Sequence, residues 1–256
     1  MGTLNEVVEI LKQFKGFGYF DELTGMISRL EDKVQSTKNK GRTYIDFEKN
    51  ELLKGINLIE PLHKAIIKQQ TLQVSYQSFK AEKPVDMVIY PYILKEYRNR
   101  WFLLGLNRKG KVLQNMALDR IVDIKELTLE PFVKNTIIDT RTYFNDCIGV
   151  TKMPGQLPST IVLKVDNRTV PYILTKPLHS SQKVLKQEDD GLIFSIEVIW
   201  NFELEREILG FGESIRVLAP RRLQSKIKSR MRHALNAYDT AQEKFKGQDY
   251  NNPIEN

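Results

Sequence analysis

The chain has 256 residues, a formal net charge of +7 and a single cysteine, Cys147. One cysteine excludes an intrachain disulfide, and no apolar run approaches the ~20 residues that a membrane helix requires. The composition, 41% hydrophobic and 28% charged, is that of a globular protein. The basic charge favours a polyanionic partner. We therefore expect a cytoplasmic protein without a membrane segment.

The first part of the chain, residues 1–57, is predicted to be a helical segment that serves as a linker or in dimerisation. Apolar residues recur at helical spacing over 3–15 and 19–36, and Thr3 with Glu6 resembles a capping box. No helix-turn-helix pattern precedes the strands. We therefore expect no specific binding of duplex promoter DNA by this chain, since such binding would need a missing or separate helix-turn-helix.

A strand-rich region follows a predicted helix over 58–70. Turn residues such as those of Asn107–Gly110 separate five short runs that have the composition and alternation of strands. These runs cover 71–79, 84–97, 100–106, 111–118 and 120–127. Five short strands after one helix predict a small, strongly bent barrel, which we assign to a domain over 58–140.

A second domain is predicted over 159–240, after a link rich in Pro and Gly at 151–159. Its pattern indicates strand, helix, strand, strand, helix and strand, followed by a last helix over 220–238. The first six elements have the order of a ferredoxin-like β-α-β-β-α-β unit. The predicted fold class is therefore α+β, with a helical segment, a barrel and a ferredoxin-like module in that order.

One stretch, "IYPYILKEYRNRWFLLGLNRKGKVLQNMALDRI" at 89–121, resembles the central motif of the WYL domain family. The resemblance rests on Pro91, Leu94, the triplet Trp101-Phe102-Leu103 and the closing Leu118-Asp119-Arg120-Ile121. The later stretch "ILGFGESIRVLAP", residues 208–220, is similar to the C-terminal extension, the WCX-type region, that commonly follows a WYL domain in bacterial transcriptional regulators. The chain departs from the family at Phe102, where the triplet has Tyr, so any contact through a phenolic hydroxyl is lost.

The resemblance implies an Sm-like, SH3-type barrel that senses a ligand for a transcriptional regulator. The implied effector is single-stranded DNA, a nucleotide or another nucleic-acid-like anion, and the protein is expected to be a homo-oligomer. The family's usual winged helix-turn-helix is not recognisable in the sequence.

The residues themselves point toward the same partner. Single-stranded nucleic acid is held by cations along its backbone and by aromatic faces against its bases. Arg100 and Phe102 share one face of a strand, whereas Trp101 and Leu103 occupy the other and are predicted to be core. We expect three arginines to line one anion-binding surface beside an aromatic platform. The candidate ligand-binding residues are Tyr76, Tyr92, Lys95, Arg98, Arg100, Phe102 and Arg120.

Other interpretations remain open. The cations at 108–111 lie on a hairpin tip, where they usually serve solubility. The basic helix at 220–238 is either a solvated helix back, a second anionic contact or a dimer surface. The chain carries no recognisable catalytic, metal-binding or phosphate-binding motif, so we expect neither an enzyme nor a cofactor. The alternative to a sensor is a protein-interaction or dimerisation module without a small effector.

Overall fold

The computed structural model describes residues 54–244, with side chains described as far as Tyr238. The predicted helices at 3–15 and 19–36 lie outside the described residues. The chain divides into two compact units, Met1–Thr140 (unit 1) and Arg141–Asn256 (unit 2). Each unit contains its own antiparallel sheet, so the α+β fold class is confirmed. No helix in the described range is both long and apolar enough to cross a membrane.

In its described residues, unit 1 contains one α-helix and a five-stranded antiparallel sheet. The elements are α1 (Ile59–Ile67), β1 (Leu72–Tyr76), β2 (Val85–Tyr97), β3 (Arg100–Asn107), β4 (Val112–Ala117) and β5 (Ile121–Glu126). The strands have the order β4-β3-β2-β1-β5 in the sheet. The predicted strands are all present to within three residues, because their alternation of apolar and polar residues reflects one buried and one exposed face.

The sheet of unit 1 is open, so the prediction of a closed barrel is wrong for the described residues. β4 pairs only with β3 and β5 only with β1, which leaves these two strands as the sheet's edges. A three-residue 3-10 turn, Leu118–Arg120, connects the two edge strands. The turn carries the chain from one edge of the sheet to the other, but β4 and β5 do not pair with each other, so the sheet does not close.

The core of unit 1 lies between α1 and one face of the sheet. The helix buries Ile59, Leu62 and Ala65, which recur at helical spacing and therefore share one stripe. Leu103 is fully buried in the same cluster, and Trp101 packs against it. The predicted core role of Leu103 is confirmed, whereas Trp101 is half-buried and packs against the outside of this core.

Unit 2 has the element order predicted from the sequence. The described elements are β6 (Ser159–Asp166), α2 (Val170–Thr175), β7 (Lys183–Glu188), β8 (Gly191–Val198), α3 (Phe202–Gly210), β9 (Ile215–Ala219) and α4 (Arg221–Lys244). The four strands form an antiparallel sheet with the order β7-β8-β6-β9. The helix α4 begins one residue from its predicted start, directly after Pro220, a residue that cannot donate a backbone hydrogen bond.

The core of unit 2 is centred on Phe194 of β8, whose side chain is fully buried. Leu204 of α3 and Leu223 of α4 are buried in the same cluster. The start of α3 is fixed by Asn201, whose side-chain oxygen accepts a hydrogen bond from the Leu204 amide at 2.8 Å. The Asn201 Nδ2 donates to the carbonyl oxygens of Ile148 at 2.8 Å and Thr151 at 3.0 Å, so one capping residue also holds the incoming chain.

An ionic cluster joins β6 to the β7–β8 hairpin. The Lys164 Nζ lies 2.7 Å from the Glu188 Oε2 and 2.6 Å from the Asp190 Oδ1. The Lys186 Nζ lies 2.7 Å from the other Glu188 oxygen. Hydrogen bonds from Lys164 and Lys186 lower the pKa of Glu188 to about 2.

The ionic cluster predicts a defined acid dependence of stability. Because the pKa of Glu188 is about 2 in the folded chain and 4.5 without these interactions, its contribution is complete above pH 4.5. The contribution is lost as the pH falls from 4.5 toward 2. We expect Glu188→Gln to flatten the decline of the free energy of unfolding across this window, measured by denaturant titration at a series of pH values.

Glu197→Gln is the control, because the Glu197 carboxylate forms no ion pair with another described residue. An equally steep decline in Glu188→Gln and wild type would contradict this prediction.

Candidate ligand site around Arg120

Two connections of unit 1 meet at Arg120. The 3-10 turn that carries Arg120 is anchored by Leu118, which is buried in the core. The β1–β2 loop, residues 77–84, is tied to this turn by the Gln77 amide, which donates to the Arg120 carbonyl oxygen at 3.0 Å. The Gln77 side chain donates to the Ala81 carbonyl oxygen at 3.1 Å and so shapes the loop itself. Backbone and side chain of one residue therefore define the position of the loop.

The loop places an exposed aromatic ring over a guanidinium group. The Arg120 Cζ lies 4.1 Å from the centroid of the Phe79 ring, well within cation–π range. Phe79 is 75% exposed, although a large apolar side chain gains free energy from burial. Both side chains border a cavity of about 320 Å³. The other lining residues are Gln77, Ser78, Ala81, Asp119, Ile121 and Val122.

Unused hydrogen-bonding capacity lies in the wall of this cavity. The Nε of Arg120 and the Oδ1 of Asp119 are both buried, and neither has a hydrogen-bond partner. Most buried polar atoms in folded proteins are paired, so two adjacent exceptions mark a place that calls for a functional explanation.

The predicted arginine surface is only partly assembled. The Arg100 Nε lies 3.6 Å from the Asp119 Oδ2, which brings Arg100 next to the cavity but pairs it with an acid. Arg98 lies in the two-residue turn between β2 and β3, with φ of 51°, and not in an extended strand. Its guanidinium carbon is 5.7 Å from the centroid of the Tyr97 ring, and it does not line the Arg120 cavity. Of the three arginines, only Arg120 lines this cavity.

The predicted aromatic platforms have other places in the structure. Tyr92 is buried and its hydroxyl donates to the Val133 carbonyl oxygen at 3.1 Å, so its ring presents no open face. Burial raises the pKa of the Tyr92 hydroxyl. Tyr76 packs at the margin of the core. Phe102 is half-buried and opposite Lys95 in the β2–β3 register, and neither residue lines the Arg120 cavity.

Phe79 is the aromatic residue that sequence reasoning missed. Its place in the run 71–79 predicts the end of a strand, whereas β1 ends at Tyr76 and Phe79 lies in a turn. The β1–β5 pairing shifts register between Ser75 and Tyr76, at the end of β1 just before the loop. The available signal was an aromatic residue followed by "KAEKP", a polar, Pro-terminated run that is typical of a loop.

Both units match models of known protein families. A model of the WYL domain matches residues 57–126, and a model of the WCX domain matches residues 158–235. The chain is a WYL-domain protein with a WCX domain. The WYL domain contains α1, β1–β5 and the cavity at Arg120, and the WCX domain contains β6–β9 with α2, α3 and most of α4.

Several known proteins are similar to the chain. Protein PafB of Mycobacterium bovis and of Mycobacterium tuberculosis is 25% identical over 174 residues, which is 67% of this chain and 51% of PafB. The chain thus spans about half the length of these curated relatives. The structure of the proteasome accessory factor B/C (PafBC) of Arthrobacter aurescens is 16% identical, with a TM-score of 0.29, over 75% of this chain and 28% of that one. The crystal structure of a CRISPR Cas-related protein is 11% identical, with a TM-score of 0.46, over 73% of this chain and 52% of that one.

Proposed function

We propose that the chain is the effector-sensing part of a bacterial transcriptional regulator. The WYL and WCX domains support a regulatory role, because these domains occur together in such regulators. We further propose that the WYL sheet is an open variant of the Sm-like fold and that the WCX sheet is ferredoxin-like. The strand orders β4-β3-β2-β1-β5 and β7-β8-β6-β9 support these assignments.

The proposed effector is nucleic-acid-like, with a base that stacks at Phe79 and a phosphate that meets a cation. The stacking of Arg120 on exposed Phe79 is the observation that carries this proposal. No ion pair joins Arg120 to a carboxylate in the described range, so its charge is available to an anion. Asp119 forms an ion pair with Arg100, and the positive charge of Arg100 reduces the repulsion between the Asp119 carboxylate and a phosphate. Single-stranded DNA and a free nucleotide both have this chemistry.

The proposed site predicts a stacking contribution from Phe79. We expect Phe79→Ala to weaken binding of a short labelled oligothymidylate by about 5- to 150-fold, since stacking on one aromatic ring contributes about 1–3 kcal/mol per base. Thermal stability should change little, because the ring is largely exposed. Fluorescence anisotropy titrations at several salt concentrations measure the affinity.

The arginine is tested in the same titrations. One lost phosphate contact should reduce the slope of log affinity against log salt by about 0.7 for a single strand. Arg120→Ala is expected to show this reduction. Arg108→Ala is the matched control, because Arg108 lies on the β3–β4 hairpin and pairs with Glu130 at 2.9 Å. A wild-type chain that binds no oligonucleotide or mononucleotide at low ionic strength would refute the proposal, as would a Phe79→Ala variant of unchanged affinity.

A protein-interaction module without an effector is the second candidate. The apolar stripe of α4 favours it, since Leu223 and Ile227 are buried whereas Leu235 and Tyr238 are 62% and 73% exposed. An exposed continuation of a packing stripe suits a protein partner, including a second copy of the chain. Sedimentation of wild type and of Leu235→Ser tests this candidate. Loss of oligomers in the variant, together with absent oligonucleotide binding in wild type, would favour it over the sensor.

A further inference from the structure

Unit 2 has a shallow basic cavity of its own at the start of α4, which is widely open to solvent. The cavity has a volume of about 490 Å³ and is lined by Trp200, Arg221, Arg222, Ser225 and Lys226. Three of its five lining residues are cations, and none is an acid. The sequence has no Asp or Glu from 214 to 238, so no acid from this stretch neutralises them.

The three cations are available to a ligand. The side chains of Arg221, Arg222 and Lys226 are exposed, and none forms an ion pair with another described residue. The first turn of α4 adds donors of its own, because the amides of residues 221–223 precede the first intrahelical hydrogen bond. That bond runs from the Gln224 amide to the Pro220 carbonyl oxygen at 3.1 Å. Charged side chains and free amides together provide a strongly positive surface.

The aromatic wall of the cavity is held in place. The Trp200 Nε1 donates to the Glu205 Oε1 at 2.8 Å, and the other Glu205 oxygen accepts from the Arg230 Nη1 at 2.8 Å. This chain of hydrogen bonds satisfies the indole nitrogen, so what Trp200 adds to the cavity is its ring surface. It also pairs the nearby Glu205 carboxylate with a cation outside the cavity, which removes an acid that would repel an anion.

We propose that this cavity binds a phosphate monoester attached to a flat ring, the chemistry of a mononucleotide. The phosphate meets Arg221, Arg222 and the first-turn amides, and the ring packs on Trp200. Arginine suits this role because its planar fork binds phosphate through two hydrogen bonds. The same chemistry occurs in a free nucleotide and at the 5′-phosphorylated end of a nucleic acid strand. The site is independent of the Arg120 cavity, since it uses only residues of unit 2.

The indole ring provides a direct readout, because the chain has only two tryptophans, Trp101 and Trp200. In a Trp101→Phe background the emission reports Trp200 alone. Adenosine monophosphate is expected to quench this emission saturably, whereas adenosine or inorganic phosphate alone should bind at least about tenfold more weakly, because each lacks one of the two contacts. A 5′-phosphorylated oligothymidylate that competes much better than its 5′-hydroxyl form and better than the mononucleotide would identify a strand end as the source.

Two variants separate the proposal from general electrostatic attraction. Arg221→Ala/Arg222→Ala should weaken binding of adenosine monophosphate by about tenfold or more, because it removes charge-assisted hydrogen bonds. Arg216→Ala, an exposed arginine of β9 outside the cavity, should leave the affinity unchanged. Phe79→Ala should also leave the affinity for adenosine monophosphate unchanged. Loss of binding at the Arg120 cavity can therefore be distinguished from loss of binding at this cavity. Equal losses in the Arg216→Ala and Arg221→Ala/Arg222→Ala variants, or no saturable quenching in the parent, would overturn the proposal.

Discussion

Phe194→Ala is expected to lower the free energy of unfolding of unit 2 by about 3–5 kcal/mol, the largest effect of any substitution considered for this unit. Phe194 is 0% exposed and is the largest fully buried side chain among the described residues. Its strand, β8, lies inside the sheet between β7 and β6, so neighbouring strands limit how far the backbone can move to fill the cavity. The cost therefore includes both the lost apolar burial and a persistent void.

The two tryptophans allow this effect to be assigned to one unit. In a Trp101→Phe background, Trp200 reports the denaturant unfolding of unit 2, whereas far-ultraviolet circular dichroism reports both units. Phe202→Ala is the control, since this ring is more than half exposed and should cost about 1 kcal/mol or less. Similar losses for the two phenylalanines, or a Trp200 transition that Phe194→Ala does not shift, would contradict the assigned core.

The sequence was sufficient to predict the secondary structure of both units because the relevant information is local. In β3, the alternation of Trp101 and Leu103 with Arg100 and Phe102 reflects the two faces of a strand. The structure places Leu103 in the core and leaves Arg100 exposed. The start of α4 was also predictable, since Pro220 fits only the beginning of a helix. Closure of the sheet was not predictable in the same way, because it depends on whether two edge strands distant in space pair with each other.

The candidate site was predictable only in part because it combines residues from separate connections. Arg120 was identified from the family motif, but its partner Phe79 lies 41 residues earlier, in a loop. Nothing in the spacing shows that the loop folds back onto the 3-10 turn, since Gln77 makes the bond to Arg120 through backbone atoms. Tyr92 is a predicted platform because it lies just upstream of the cationic stretch. In the structure its ring contacts Phe132 and its hydroxyl bonds to Val133, and the spacing does not show that this later segment covers it.

The density of cations along the sequence indicates less about which arginines are available to an anion than the ion pairs that each arginine forms. The stretch from Lys95 to Lys111 is rich in cations, yet Arg100 pairs with Asp119 and Arg108 with Glu130. Exposed ion pairs of this kind contribute little to stability, and the acid in each pair offsets the positive charge that an anion would meet. Arg120, outside this stretch, stacks on an aromatic ring instead of an acid. The difference between these arginines is set by tertiary contacts and is therefore not visible in the order of the residues.

Leu103→Ala is expected to lower the free energy of unfolding of unit 1 by about 2–5 kcal/mol. Leu103 is 0% exposed and lies in the cluster that joins α1 to the sheet. On β3 it is paired with Leu94 of β2 and Met116 of β4, so strands on both sides restrict collapse around a smaller residue. In a Trp200→Phe background, the emission of neighbouring Trp101 reports the denaturant unfolding of this unit.

The chain supplies a matched control for this substitution. Leu129→Ala removes the same atoms from a side chain that is 98% exposed, and it should change the free energy of unfolding by about 0.5 kcal/mol or less. The Arg120 cavity does not include Leu103, so oligonucleotide affinity measured where the variant is still folded should remain close to that of the parent. A Leu103→Ala variant of unchanged stability would contradict the core described for unit 1.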